Sequence, residues 1–257
     1  MVTAVTTAQL VGMLLVSIRV GTFLWIAPVL GGRMVPARVR VLLAVALALP
    51  MTPMAVSASG PIPLGAGGLV WAVLENVLIG GALGLAVLGL ISAVQSAGSL
   101  IDLFGGFSVS QAYDPMLMQQ SSVMGRVYQL LGAALLLVTG AHLLILQGFA
   151  STFAVLPIDG SLDLEQATGT LTTVLTTMFL SALQIAGPLI GVSFLADVAL
   201  GLMTRVAPAL NAFSLGFPLK IGLTLGLVAL ALPMLPPALL GLSQQAVDAM
   251  GAIAGGG

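Results

Sequence analysis

Residues 196–220 place Asp197, Arg205, Asn211 and Lys220 in an otherwise apolar stretch, and Arg19, Asp102 and His142 stand in similar surroundings upstream. Such side chains can relay protons, bind metal or activate a nucleophile. Each ionisable group at membrane depth costs about 2.5–3.5 kcal/mol on insertion scales, so each needs a partner or water. His142 is the single histidine, and its segment offers Thr139 and Gln147 but no acid to orient it as a base. It has neither a second nitrogen ligand nor a His-Glu-x-x-His pair for zinc. A histidine hydrogen-bonded in a helix interface fits better. Ser57-Ala-Ser-Gly60 has no histidine nearby in sequence, and no glycine-rich phosphate loop is present. Nothing here assembles a catalytic constellation or implies a cofactor. Arg19 must snorkel or pair, with Glu75 and Asp102 as candidates by charge alone. Asp197 and Arg205, eight residues apart, share a helix face to within two turns, so a local pair and an interhelical pair are equally open.

The elements that hold these groups are hydrophobic helices. Of 257 residues, 59% are hydrophobic and 6% charged, with mean hydropathy +1.18. A soluble domain carries about 25% charge. The apolar runs are continuous rather than alternating, which predicts an all-α integral membrane protein. A net charge of −1 gives no electrostatic basis for binding nucleic acid, and there is no cysteine. The first charge is Arg19, so the first apolar run lacks a basic leader region and is expected to be retained. With roughly 20 residues needed per crossing, six spans are expected: about 8–30, 40–57, 66–95, 127–150, 171–195 and 217–242. The second ends at Pro50-Met-Thr-Pro53, and the third can continue towards Leu103. Arg33, Arg38, Arg40, Arg126, Arg205 and Lys220 fall in or beside alternate connections. The connection 151–170 carries Asp159, Asp163 and Glu165 instead. Six full crossings then put both termini outside.

Three glycine pairs are spaced four apart: Gly80/Gly84, Gly187/Gly191 and Gly222/Gly226. Such pairs let another backbone approach closely. Pro28, Pro188, Pro208, Pro218 and Pro233 interrupt apolar runs and predict kinked helices, which suit a channel or transporter better than an anchor. The longest connection holds Phe104, Gly105, Gly106, Phe107, Tyr113, Asp114, Pro115, Met116 and Met118. Gly105-Gly106 breaks a helix and Asp114-Pro115 makes a turn. The remaining residues are bulky, apolar and adaptable. Two readings stand: a loop packed on the membrane surface or a partner, and a plug in a pore.

Several segments, in order, resemble the FliR family of flagellar and type III export-gate proteins. They are Arg19 with Phe23-Leu-Trp-Ile-Ala-Pro-Val-Leu30, Val35-Pro-Ala-Arg-Val-Arg40, Gly81-Ala-Leu-Gly84, Gly98 to Asp102, Asp114-Pro115, Gly140-Ala-His142, Ser151 to Pro157, and above all Gly201 to Lys220. The resemblance implies a non-enzymatic subunit of the bacterial inner membrane at the flagellar basal body. One copy would close a helical ring with FliP and FliQ, with FlhB docked on it, around a path for unfolded export substrates. It implies a single membrane domain, with 1–165 FliP-like and 166–257 a FliQ-like helical hairpin. The loop 104–122 would be the channel plug. Arg19, Arg38, Arg40, Asp102, Asp197, Arg205, Asn211 and Lys220 would serve assembly, with Arg205 and Lys220 holding the hairpin against its neighbours. The family's helices are tilted and kinked, and much of the complex stands above the membrane plane, so charge bias can record insertion rather than final depth. The runner-up reading is a small-solute transporter relaying through Arg19, Asp102 and Asp197; a membrane enzyme would require His142.

Overall fold

The computed structural model describes residues 7–28, 35–61, 65–107, 122–206 and 212–255. Among these there is no strand. The helices are α1 (Thr7–Ile26), α2 (Ala37–Ala58), α3 (Ala66–Gly105), α4 (Val123–Val138), α5 (Ala141–Val155), α6 (Leu164–Val206), α7 (Ala212–Ala231) and α8 (Leu235–Ile253), with a 3-10 turn at Leu232–Met234 between the last two. Five segments are long and apolar enough to cross a membrane: α1, α2, α3, α6 and the run Pro218–Ile253. Counting α4 with α5 as one bent span makes a sixth. The protein is an all-α membrane protein, as the composition requires.

The elements depart from the expected spans where local chemistry decides. Span two continues through Pro50 and Pro53 to Ala58. A proline costs a helix one donor, so Pro50 and Pro53 deny the Ala46 and Leu49 carbonyls their usual helical amides; Thr52 Oγ1 donates to the neighbouring Ala48 carbonyl at 2.7 Å. The span at 127–150 is broken at Gly140, whose φ of 75° is open to glycine and strained for other residues. The last span is broken at Leu232–Met234, where Pro233 starts a tighter turn. Pro188 and Pro218 lie inside helices. Pro208 is outside the described residues. The start of α6 is capped by Asp163, whose Oδ1 accepts from the Glu165 and Gln166 amides at 2.9 and 3.1 Å.

The chain forms two compact units. The first holds residues 1–90, 140–176 and 241–257. Its core joins Leu15, Val20 and Phe23 of α1, Ile79 and Leu83 of α3, and Phe149 and Phe153 of α5, all buried. Phe149 stacks on Phe23 at 4.2 Å and meets Phe153 edge-on at 5.6 Å. The second unit holds residues 91–139 and 177–240. There Val94, Ala97 and Ile101 of α3 and Tyr128 and Leu136 of α4 are buried. These units record packing. The partition at 165/166 implied by the resemblance records likeness to other subunits, and the two are different divisions.

Candidate functional site

In the first unit the polar chemistry centres on Arg19. Its side chain is 0% exposed. Nε donates to Asn76 Oδ1 at 2.8 Å, Nη1 to the Leu156 carbonyl at 2.7 Å and Nη2 to the Pro157 carbonyl at 2.8 Å. The guanidinium lies 4.7 Å over the Phe153 ring. The last carbonyls of a helix have no partner within it. Arg19 therefore closes the end of α5 from α1, and a positive charge there also favours the helix dipole. Asn76 completes the joint, donating to the Ala72 and Ile158 carbonyls at 2.8 and 2.9 Å. The segment after α5 is tied at two further points. Glu75 accepts from the Leu162 amide at 3.2 Å, and Asp159 accepts from the Gly60 amide at 3.0 Å. Neither expected acid is Arg19's hydrogen-bond partner: Glu75 and Asp102 are both occupied with backbone amides. The donors of the guanidinium fork are spent on Asn76 and two successive carbonyls instead. Sequence reasoning passed over Asn76. The signal was present, since an amide inside a long apolar run needs partners as an ion does.

In the second unit the polar chemistry centres on the base of the long connection. Asp102 is 3% exposed, and its Oδ1 accepts from the Met124 amide at 3.2 Å. Ser122 Oγ accepts from the Gly125 amide at 2.8 Å. Both groups meet the positive end of α4, where an anion is favoured. The backbones are pressed together as well. A Cβ added to Gly98 would lie 2.6 Å from the Met124 carbonyl, and one on Gly125 2.6 Å from Ser99 Oγ. The end of α3 and the start of α4 are thus stapled, and the chain between them leaves and returns at one point. Phe104 and Gly105 close α3, Gly106 takes φ 86°, and Phe107 follows. A Cβ on Gly105 would meet Thr224 Cγ2 of α7 at 2.8 Å. Tyr113, Asp114, Pro115, Met116 and Met118 lie outside the described residues.

The carboxy-terminal polar residues divide. Lys220 Nζ of α7 pairs with Asp197 Oδ2 of α6 at 2.8 Å, with side chains 14% and 49% exposed. Asp197 is thus used between helices, and Arg205 is exposed further along α6. Asn211 lies outside the described residues. Arg38 is exposed at the start of α2, whereas Arg40 is buried over the Trp25 ring. His142 is half-buried on the first turn of α5.

These features define a helical membrane protein whose buried polar groups join helices and close their ends. Comparison with known proteins agrees. The family model of bacterial export proteins, family 1, matches residues 10–246. The chain is 32% identical over 220 residues to the flagellar biosynthetic protein FliR of Escherichia coli, covering 86% of this chain and 84% of that one. It is 32% identical over 214 residues to FliR of Bacillus subtilis, covering 82% of each. The surface presentation of antigens protein SpaR of Shigella sonnei is 28% identical over 126 residues, 49% of this chain and 48% of that one. The chain belongs to the FliR family of bacterial export proteins. It is a membrane component of a type III export apparatus.

Proposed function

We propose that one copy of this chain assembles with FliP and FliQ in the bacterial inner membrane, at the flagellar basal body, into a gated channel for unfolded export substrates, with FlhB docked on it. Family membership supports the export role, and one structural observation carries the need for partners. Helix α6 has 43 residues. Large apolar side chains stand exposed along it from Leu175 through Phe179, Leu183, Phe194 and Leu202 to Val206. At about 1.5 Å per residue that stretch is about 47 Å long, against a hydrocarbon core of about 30 Å. A tilt of about 40° still leaves about 36 Å along the membrane normal. Lipid hydrocarbon falls short of that length, which supports cover by other protein. The hairpin of α6 and α7 is the part that answers to the FliQ-like segment, and residues before 166 to the FliP-like part.

The plug reading of 104–122 is supported by its base. Its described ends, Phe107 and Ser122, lie at a neck where α3 and α4 are held to each other directly, so those helices do not depend on the loop for their contact. The transporter reading loses ground because Arg19, Asp102 and Asp197 are each committed to a structural partner. The test is the mass of the intact complex after mild detergent extraction. A hetero-oligomer containing one copy of this chain is expected; a monodisperse monomer or homo-oligomer overturns the proposal.

A further inference from the structure

We infer that the groove between α1 and α2 binds an anionic phospholipid, with its phosphate at the start of α2 and an acyl chain in the slot below. The slot is a cavity of about 190 Å³ walled by Ile18, Gly21, Trp25, Arg40, Val41 and Val45. The groove is partly open, and apart from Ser17 and Arg40 its walls are apolar, which suits hydrocarbon. Its α1 wall runs over the nine residues from Ser17 to Trp25, about 12 Å at the helical rise. The neighbouring outer face of α2, including Leu42 and Leu49, is exposed and apolar.

One end of this slot is cationic. Arg40 is 8% exposed, and its Nη2 donates to the Val35 carbonyl at 3.1 Å, so the guanidinium folds back towards the first turn of its own helix. Its Cζ sits 4.6 Å over the Trp25 ring. That contact holds the group in place and leaves its charge intact. Arg38 is exposed two residues earlier. The helix start adds to this: Pro36, the residue before α2, offers its first amides no side-chain cap. The first amides of a helix and its dipole favour an anion there. Tryptophan at a groove mouth beside arginine is the arrangement of a membrane interface, and basic pockets between spanning helices suit anionic head groups. Gly21 keeps the slot open, since a Cβ there would reach ordinary contact with Ala44 at 3.7 Å.

The experiment uses the full chain in vesicles, with Trp71→Phe so that Trp25 is the single tryptophan. Phosphatidylglycerol or phosphatidylcholine with brominated acyl chains is added at equal mole fraction, and quenching of Trp25 is read. Brominated phosphatidylglycerol should quench at the lower mole fraction, with a preference that falls about fivefold in Arg40→Gln and is kept in Arg40→Lys. Val45→Phe, at a half-exposed wall position, should remove the preference by filling the slot. Excess inorganic phosphate should leave it unchanged, because the acyl chain supplies much of the affinity. Equal quenching by the two lipids in the otherwise unaltered chain overturns the inference and does not depend on any groove variant folding. Displacement by inorganic phosphate alone, or a preference unmoved in both Arg40→Gln and Val45→Phe, overturns it as well.

Discussion

Gly80 and Gly84 on α3 share their spacing with Gly187 and Gly191 on α6 and with Gly222 and Gly226 on α7, but their surroundings differ. A Cβ on Gly80 would collide with the Arg19 carbonyl and lie 2.9 Å from Thr22 Oγ1, and one on Gly84 would lie 3.0 Å from Ile26 Cβ. The first pair is filled by α1. At the other four glycines no atom of a described neighbour lies within 4 Å. One region has consumed its close-approach face inside the chain, and the other still offers it. A small-residue motif therefore states that a backbone can come close and says nothing about whose backbone it is. The α1–α3–α5 joint is a finished core; the α6–α7 hairpin keeps large apolar side chains such as Phe179, Leu183, Phe194 and Leu225 exposed.

The largest expected effect breaks the finished side. Arg19→Ala leaves Asn76 and the Leu156 and Pro157 carbonyls without their donor. Each buried acceptor left unsatisfied costs about 1–3 kcal/mol, and three are left at once. Loss of the full-length chain from membranes, or a large drop in its thermal midpoint in detergent, is expected. Arg19→Lys should recover only part, since an ammonium cannot reach three acceptors in a planar fork. Stability equal to the unaltered chain would show that the joint is not what holds α5.

Gly80→Ala and Gly187→Ala sharpen the contrast directly. At Gly80 the obstacle is backbone, which cannot rotate away, and overpacking costs about 1–3 kcal/mol. At Gly187 space is open, and replacing an interior helix glycine gains about 0.5–1 kcal/mol in the isolated chain. In the assembly the order should change: Gly187→Ala and Gly222→Ala should lower the yield of complex while leaving the lone chain intact. Equal yields from all variants would mean that lipid, not protein, covers the hairpin.

Much of this division was hidden in the sequence for a physical reason. That Arg19 needed a partner was legible, because a charge in an apolar run always does. Which partner was not: Asn76 lies 57 residues away, and the other acceptors are backbone carbonyls 137 and 138 residues away, to which residue identity is blind. The extension of α3 towards Leu103 was legible from continuous apolarity, as was the helix break after Gly105. The break at Gly140 was not, because its surroundings stay apolar on both sides and only φ betrays it. At the candidate gate, composition singled out the loop. The stapled base required knowing that Gly98, Asp102, Ser122 and Gly125 meet.

That base gives the next prediction. Gly105→Ala should push against Thr224 and shift the neck of the loop, while deletion of 110–118 should leave the neck intact. Both should still assemble, and the deletion should make the membrane leaky to ions in a conductance assay. A tight membrane with normal assembly would place the constriction in partner subunits.

The smallest effect concerns an ion pair of the open side. Asp197 and Lys220 join α6 to α7 at 2.8 Å, but the carboxylate is about half exposed. Exposed pairs contribute about 0.2–1 kcal/mol after solvent screening and side-chain ordering. Lys220→Ala and Asp197→Ala should each cost about that much in the isolated chain, and the double variant should cost little more than either alone. Arg205→Ala, at an exposed position further along α6, should not couple to Asp197 in the same cycle. The outcome changes if a partner subunit buries the pair in the complex. The coupling should then exceed its value in the lone chain, because lower dielectric strengthens the attraction and makes an orphaned charge more costly. A double-mutant cycle on complex yield, set beside one on the thermal midpoint of the lone chain, measures that difference. Identical coupling in both would mean that this stretch of the hairpin stays wet after assembly, and that the covered face lies elsewhere on α6 and α7.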